Sequence, residues 1–280
     1  RASYSTATSS PSSSFLTSAH VPAISASSGQ NVELDVEIFA LPKLGADAEE
    51  YEDAASPSGR CHCSGSHFTF AVADGATEAS FSGLWARLLV EGYTSECANA
   101  SLMDVVTRAA ESWTASVGAR VLPWYAEQKA ASGAFAAFLG VKVDAFVQDE
   151  HELVSYSADA VGDCCLIHMR GGTLIAAFPL TRSEEFNSTP SLLATRVEPN
   201  CDVEIHRTSG FCNEDDMLLL MSDAIARWFL AELESGGQPW EQIRDLETSD
   251  GVLFQDLVCE LRSSNVLKND DTTLMRITIC

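Results

Sequence analysis

The alternation of polar and apolar positions starts at Val32. Residues Val32–Leu41 read VELDVEIFAL, with the period of a strand. The next stretch, AEEYEDAASPSGRCHCSGS, carries no period and reads as a polar loop. HFTFAVA is a mostly apolar strand that stops abruptly at Asp74. A helix is predicted from about Ser80 to Val90, and another from about Ser101 to Lys129. In the second, apolar residues recur three and four apart, at Leu102, Val105, Val106 and Ala109. Pro123 lies inside that run and breaks or kinks it. AFAAFLGVKVDAFVQ and ELVSYSADAVG return to strand. CCLIHMRGGTLIAAF is a hairpin pattern, two apolar runs joined at Gly171-Gly172. Thr181–Asn200 is irregular and polar. DMLLLMSDA is an apolar strand too short for a helix. Ala224–Ser235 and about Trp240–Ser264 read as helices, and TTLMRITI closes the chain as a strand.

Helices therefore come in two batches between runs of neighbouring strands. That order differs from the strand-helix alternation of a parallel sheet, and it predicts an α+β fold of antiparallel sheets covered by helices. Residues 1–30 are dominated by Ser, Thr and Ala and read as a flexible leader, with 31–280 as the folded part. Within 280 residues, 46% hydrophobic content is enough for a sizeable core.

Charge narrows the function. Forty acidic residues against 17 Lys and Arg give a formal charge of -23, which argues against nucleic acid and anionic membranes, since both need basic patches. No apolar run approaches the roughly 20 residues that cross a bilayer, and the start lacks the shape of a signal peptide. The nine cysteines form no legible disulfide framework, which predicts a reducing, cytoplasmic setting. Cys61-His62-Cys63 has the residue types of a zinc site. No second cluster at matching spacing completes four ligands, so it reads as plain loop.

The acidic residues repay closer reading by position. FAVADGA and LLLMSDA share one shape: an apolar strand, an Asp at its end, a small residue, then a helix. These are Asp74 and Asp223. Asp163 in VGDCCLIHM and Asp270 in KNDDTTLMRI stand just before strands. In an antiparallel sheet the end of one strand and the start of its neighbour share an edge, so all four can meet on one rim. Glu52-Asp53 adds an acidic pair after the first strand. Each residue alone also reads as a cap or turn residue. Together they repel unless a cation compensates, and an oxygen-only ligand set favours Mg²⁺ or Mn²⁺.

Five motifs in order, Glu52-Asp53-Ala54, Asp74-Gly75, Gly162-Asp163, Ser222-Asp223-Ala224 and Asp270-Asp271, resemble those of the type 2C metal-dependent protein phosphatases, in their bacterial form. The resemblance spans roughly Val32 to Ile279. It implies a four-layer sandwich of two antiparallel β-sheets flanked by helices, with a dinuclear metal centre at one end, and makes 31–280 the catalytic domain. It implies that Asp74 bridges the metals and positions the nucleophilic water, with the Gly75 carbonyl helping. Asp223 and Asp270 would hold one metal, Glu52 would approach the other, and Asp163 would belong to a third, weaker site. Asp53 would support from behind. Asp271 replaces Asp270 if the register shifts by one. The reaction implied is hydrolysis of a phosphomonoester by a metal-bridging water, with a phosphorylated protein as substrate and no phosphoenzyme.

The chain departs from that family at Ala76, where animal relatives carry a proton-donating His, and at Ala48, where many carry a phosphate-binding Arg. Ala224 replaces a usual Gly and restricts the backbone modestly. Lys43, Arg60 and Arg87 are the nearest replacement cations in sequence, and Glu78 is a spare acid beside Asp74. The histidines show no triad or metal-pair spacing, and GxSxG and phosphate-loop motifs are absent. Two other readings stand beside a protein phosphatase: a small-molecule phosphatase, and a catalytically weak binding or regulatory module.

Overall fold

The computed structural model describes residues 31–47, 50–76, 81–95, 100–187, 189–246 and 251–280. The Ser-rich leader lies outside them, as do Ala48 and Glu78.

The alternating stretch Val32–Leu41 is β1. It is followed by β2 (Asp53–Ser56), β3 (Cys61–Gly65) and β4 (His67–Gly75). The segment expected to be polar loop thus contains two short strands. Their residues are only partly buried, so composition shows no period; β4 and β1 supply the pairing that makes them strands. Helices α1 (Ser82–Ser95), α2 (Leu102–Gly118) and α3 (Trp124–Ala131) come next. Pro123 caps α3, so the predicted break is complete. A Ser101–Asp104 capping box starts α2.

The long strands β5 (Phe135–Gln148) and β6 (His151–Val161) lead into the hairpin of β7 (Cys165–Arg170) and β8 (Thr173–Phe178). The irregular stretch holds a 3₁₀ turn at Ser183–Glu185, the two-residue β9 (Leu193–Ala194) and α4 (Val197–Asn200). After β10 (His206–Cys212), which the sequence pattern did not reveal, come β11 (Met217–Met221) and α5 (Asp223–Glu234). The single helix expected over Trp240–Ser264 is two, α6 (Pro239–Arg244) and α7 (Val252–Ser263), and α7 starts after Gly251 in a left-handed conformation. β12 (Thr272–Ile279) completes the chain.

The strands form two antiparallel sheets, ordered β3-β1-β12-β11-β7-β8 and β10-β6-β5-β4-β2, with β9 on β5. Their facing sides bury Leu34, Val36, Phe70, Val72, Leu139, Leu218, Leu220 and Ile277. The outer side of the first sheet packs Leu219 and Met221 against Trp228, Phe229 and Phe254 of the C-terminal helices. The outer side of the second packs Ala71 and Ala73 against Trp85 and Leu89 of α1, with Val105 and Trp113 of α2 behind. The result is the expected four-layer α+β sandwich. MLLLM is continuously apolar because both faces of β11 are covered. Among the described residues no helix is long and apolar enough to cross a membrane.

Candidate metal centre

Five strands deliver carboxylates to one rim. Asp53, the first residue of β2, lies directly opposite Asp74 near the end of β4. In the other sheet β12, β11 and β7 are neighbours, and Met221 pairs with both Leu274 and Cys165. Asp270, before β12, Asp223, after β11, and Asp163, before β7, therefore sit side by side. The backbone enforces this at Gly162. Its φ is +93°, and a Cβ there would lie 2.7 Å from that of Ala137. Gly75 is equally constrained: a Cβ would stand 2.8 Å from the Glu52 carbonyl oxygen and the Ser82 carbonyl carbon. Only glycine lets the start of α1 close onto the acidic pair.

Hydrogen bonds fasten the two sheets together here. The Thr273 hydroxyl donates to Asp53 Oδ2 at 2.7 Å, and Thr273 N–H donates to Ser222 Oγ at 3.0 Å. Asp271 accepts the backbone N–H groups of Lys43 and Glu52, each at 2.8 Å. Asp270 instead faces Lys268, whose Nζ lies 2.6 Å from its Oδ2 and 3.6 Å from Asp223 Oδ2. Asp271 is thus a clamp on the backbone, and Asp270 faces the cluster.

The cluster is electrostatically loaded. Asp74 keeps some exposed surface, yet burial pushes its pKa far above the carboxylate range, and Asp53, Asp223, Asp163 and Asp270 push it further. Burial raises Asp163 to about 7, with Asp223 adding and Lys268 opposing. Burial likewise raises Asp53 to about 7; the hydroxyls of Thr273 and Ser222 resist, while Asp271 and Asp223 add. Asp223 is raised by burial, against the pull of Lys268. Among the described residues, Oδ1 of Asp53 and Oδ1 of Asp223 are buried with no hydrogen-bond partner. One partly exposed ammonium does not offset five gathered carboxylates. The orphaned oxygens and the all-oxygen donor set fit hard divalent cations.

A cleft of about 1200 Å³ opens beside the rim, lined by Lys43, Glu52, Asp53, Ser82, Arg87 and Arg120 among others. Glu52, one residue along from the Asp53–Asp74 pair, accepts from Lys43 Nζ at 3.0 Å and from the Ser82 hydroxyl. Of the cations named from sequence, Lys43 and Arg87 line the cleft, whereas Arg60 is exposed, 3.7 Å from Glu37. Ala76 donates its N–H to the Phe135 carbonyl. Ala224 lies within α5, so the expected backbone restriction does not arise; alanine suits a helix better than glycine. Sequence reasoning missed Lys268, Thr273 and Arg120, and the hydrogen-bonding role of Ser222. Lys268 and Thr273 flank the last acidic motif and Ser222 lies within the one before it, so these three carried a local signal. Arg120 follows α2 and is placed by topology alone.

No protein-family model matches the chain, and no curated protein matches its sequence. Solved structures do match. The serine/threonine phosphatase Stp1 from Staphylococcus aureus has a TM-score of 0.56 at 14% identity, over 88% of this chain and 95% of that one. The serine/threonine phosphatase PstP/Ppp of Mycobacterium tuberculosis has a TM-score of 0.55 at 13% identity, over 88% and 98%. The catalytic domain of the serine/threonine protein phosphatase PstP, in complex with two manganese ions, has a TM-score of 0.54 at 15% identity, over 89% and 99%. At these identities the likeness is one of fold, the fold that the type 2C resemblance implies.

Proposed function

We propose that the chain is a divalent-metal-dependent phosphomonoester hydrolase acting on phosphoserine and phosphothreonine in proteins. The observation that carries the reading is the gathering of Asp53, Asp74, Asp163, Asp223 and Asp270 at one rim, two of them with orphaned oxygens, beside a cation-lined cleft. Asp74, Asp223 and Asp270 would hold two Mg²⁺ or Mn²⁺ ions, with Glu52 and the Gly75 carbonyl at the second. Asp163 would serve a third, weaker ion. Such ions supply an activated water and offset charge on the phosphoryl oxygens. The chain's own residues do the rest. Asp271 fixes the backbone at Lys43 and Glu52, and Thr273 orients Asp53. Lys43, Arg87 and Arg120 set positive charge along the cleft, where a phosphate approaches, in place of the family's Arg. Cys164 and Cys165 are buried, and burial pushes both thiols up, so neither acts as a nucleophile. All eight described cysteines are free.

The test is turnover of p-nitrophenyl phosphate and of a phosphothreonine peptide, each with Mn²⁺ and with EDTA. Both are expected to be cleaved only with metal. No metal-dependent turnover of either overturns the proposal, and cleavage of the aryl phosphate alone removes the protein substrate. One observation favours a second reading, a weak or inactive regulatory module: Lys268 places its ammonium between Asp223 and Asp270. Metal binding without turnover would select it.

A further inference from the structure

Cys61-His62-Cys63 forms most of β3, and pairing with β1 sorts its side chains. Cys61 lies opposite Val36 and Cys63 opposite Leu34, and both pack on the core between the sheets. His62 lies opposite Asp35 and points to the outer face. On the other flank of β1, β12 ends with Leu34 opposite Ile279, and the next residue, Cys280, donates its N–H to Glu33 O at 2.9 Å. Three strands thus bring three donor types to one spot. His62 Nδ1 is 2.9 Å from Asp35 Oδ1, His62 Nε2 is 3.8 Å from Glu33 Oε2, and Cys280 Sγ is 3.6 Å from Asp35 Oδ2.

We propose that Asp35, His62 and Cys280, with water completing the tetrahedron, bind a borderline divalent transition-metal ion, Zn²⁺ foremost. One donor atom from each of Asp35, His62 and Cys280 lies within 4.8 Å of the others. Tetrahedral zinc with bonds of about 2.0–2.3 Å sets its ligand atoms roughly 3.3–3.8 Å apart; Asp35 lies 2.9 Å from His62 and 3.6 Å from Cys280, and the exposed His62 and Cys280 side chains can adjust about it. Thiolate, imidazole and carboxylate together select zinc over magnesium, the reverse of the all-oxygen rim. The two sites are separate: Asp35 precedes Leu41, at the rim end of β1, by six residues, about 20 Å of extended chain. The strand ladder holds the donors before any ion arrives, which lowers the entropic cost of binding. Arg60, which acts on Asp35 and lies 3.7 Å from Glu37, is the competing cation nearby.

The site is tested on the full chain, stripped with chelator and returned to Mg²⁺-saturated buffer so that the rim is filled. Zn²⁺ binding is followed by calorimetry, and Co²⁺ serves as the spectroscopic probe. A thiolate-to-metal charge-transfer band is expected with Co²⁺, a signature that Co²⁺ bound at the oxygen-only rim does not give. C280S abolishes that band, H62A weakens Zn²⁺ at least about ten-fold, and C61S changes neither. His62 is 57% exposed and Cys280 is exposed, so neither substitution threatens folding. A band that persists in C280S, or Zn²⁺ binding unchanged in H62A, overturns the proposal. Neither result touches the phosphatase reading, since the rim contributes no thiolate or imidazole.

Discussion

Asp163→Asn, studied in EDTA, isolates the electrostatic load of the rim. Asp163 is raised from 3.8 to about 7 by burial first and by Asp223 second. A carboxyl whose folded pKa is raised favours the folded state only while it keeps its proton. Below about pH 4 the group is protonated in both states and costs nothing. As pH climbs from about 4 to about 7 the unfolded chain ionises and the folded one resists, so stability falls. Above about 7 the full penalty remains. Three pK units at about 1.36 kcal/mol each give a penalty of about 4 kcal/mol, a large share of the roughly 5–15 kcal/mol by which such a protein is stable.

The assay is urea unfolding of wild type and D163N at pH 5, 6, 7 and 8 in EDTA, then at pH 8 with Mg²⁺ or Mn²⁺. The difference between the two proteins cancels groups far from the rim. Asp216 also titrates outside this window: although burial pushes it up, hydrogen bonds from Arg170 and the Asn213 N–H hold its pKa below 3.8. D163N is expected to gain on wild type as pH rises, reaching at pH 8 a midpoint advantage of more than about 1 M urea. Divalent metal should restore wild type at pH 8, because it binds the ionised, folded rim. Parallel profiles for the two proteins from pH 5 to 8 would refute the reasoning, as would a gain that shrinks with rising pH.

Asp74→Asn should lower metal-dependent turnover at least about a hundred-fold while stabilising the metal-free fold at pH 8, since it removes a repelled carboxylate; unchanged turnover removes Asp74 from the centre. Lys268→Met should tighten Mn²⁺ binding roughly five-fold by calorimetry, because a surface ion pair of about 1 kcal/mol no longer competes; weaker binding would show that the ammonium supports the site. Arg276→Met removes the guanidinium that pairs with the buried Glu37 carboxylate and frees the carbonyls of Ile243, Arg244 and Leu246 that it ties to β12. It should cost about 3–5 kcal/mol in urea unfolding, and a loss below about 1 kcal/mol refutes that role.

What the sequence revealed follows from where the driving force lies. β1, β4, β11 and β12 bury their own side chains, so their patterns carry the signal. β2, β3 and β10 sit at sheet edges with mostly half-exposed residues, and their order comes from the strands they pair with. The helix read across Trp240–Ser264 is interrupted before Gly251, which no apolar period records. The acids at strand ends were legible because turn chemistry and ligand chemistry both want Asp there. Their roles were less so. Glu52 and Asp53 are adjacent letters, but strand alternation turns Asp53 toward Asp74 and leaves Glu52 to Lys43 and Ser82. Asp270 and Asp271 divide in the same way, one facing Lys268 and the other clamping two backbone amides. The cations were hardest to read. Arg120 reaches the cleft from the far end of α2, and Lys268 gains meaning only once β11 and β12 lie side by side. A carboxylate at a strand end declares itself through local grammar, whereas its counter-charge can come from any element that the fold brings within reach, so the ligand set is legible before its regulators are.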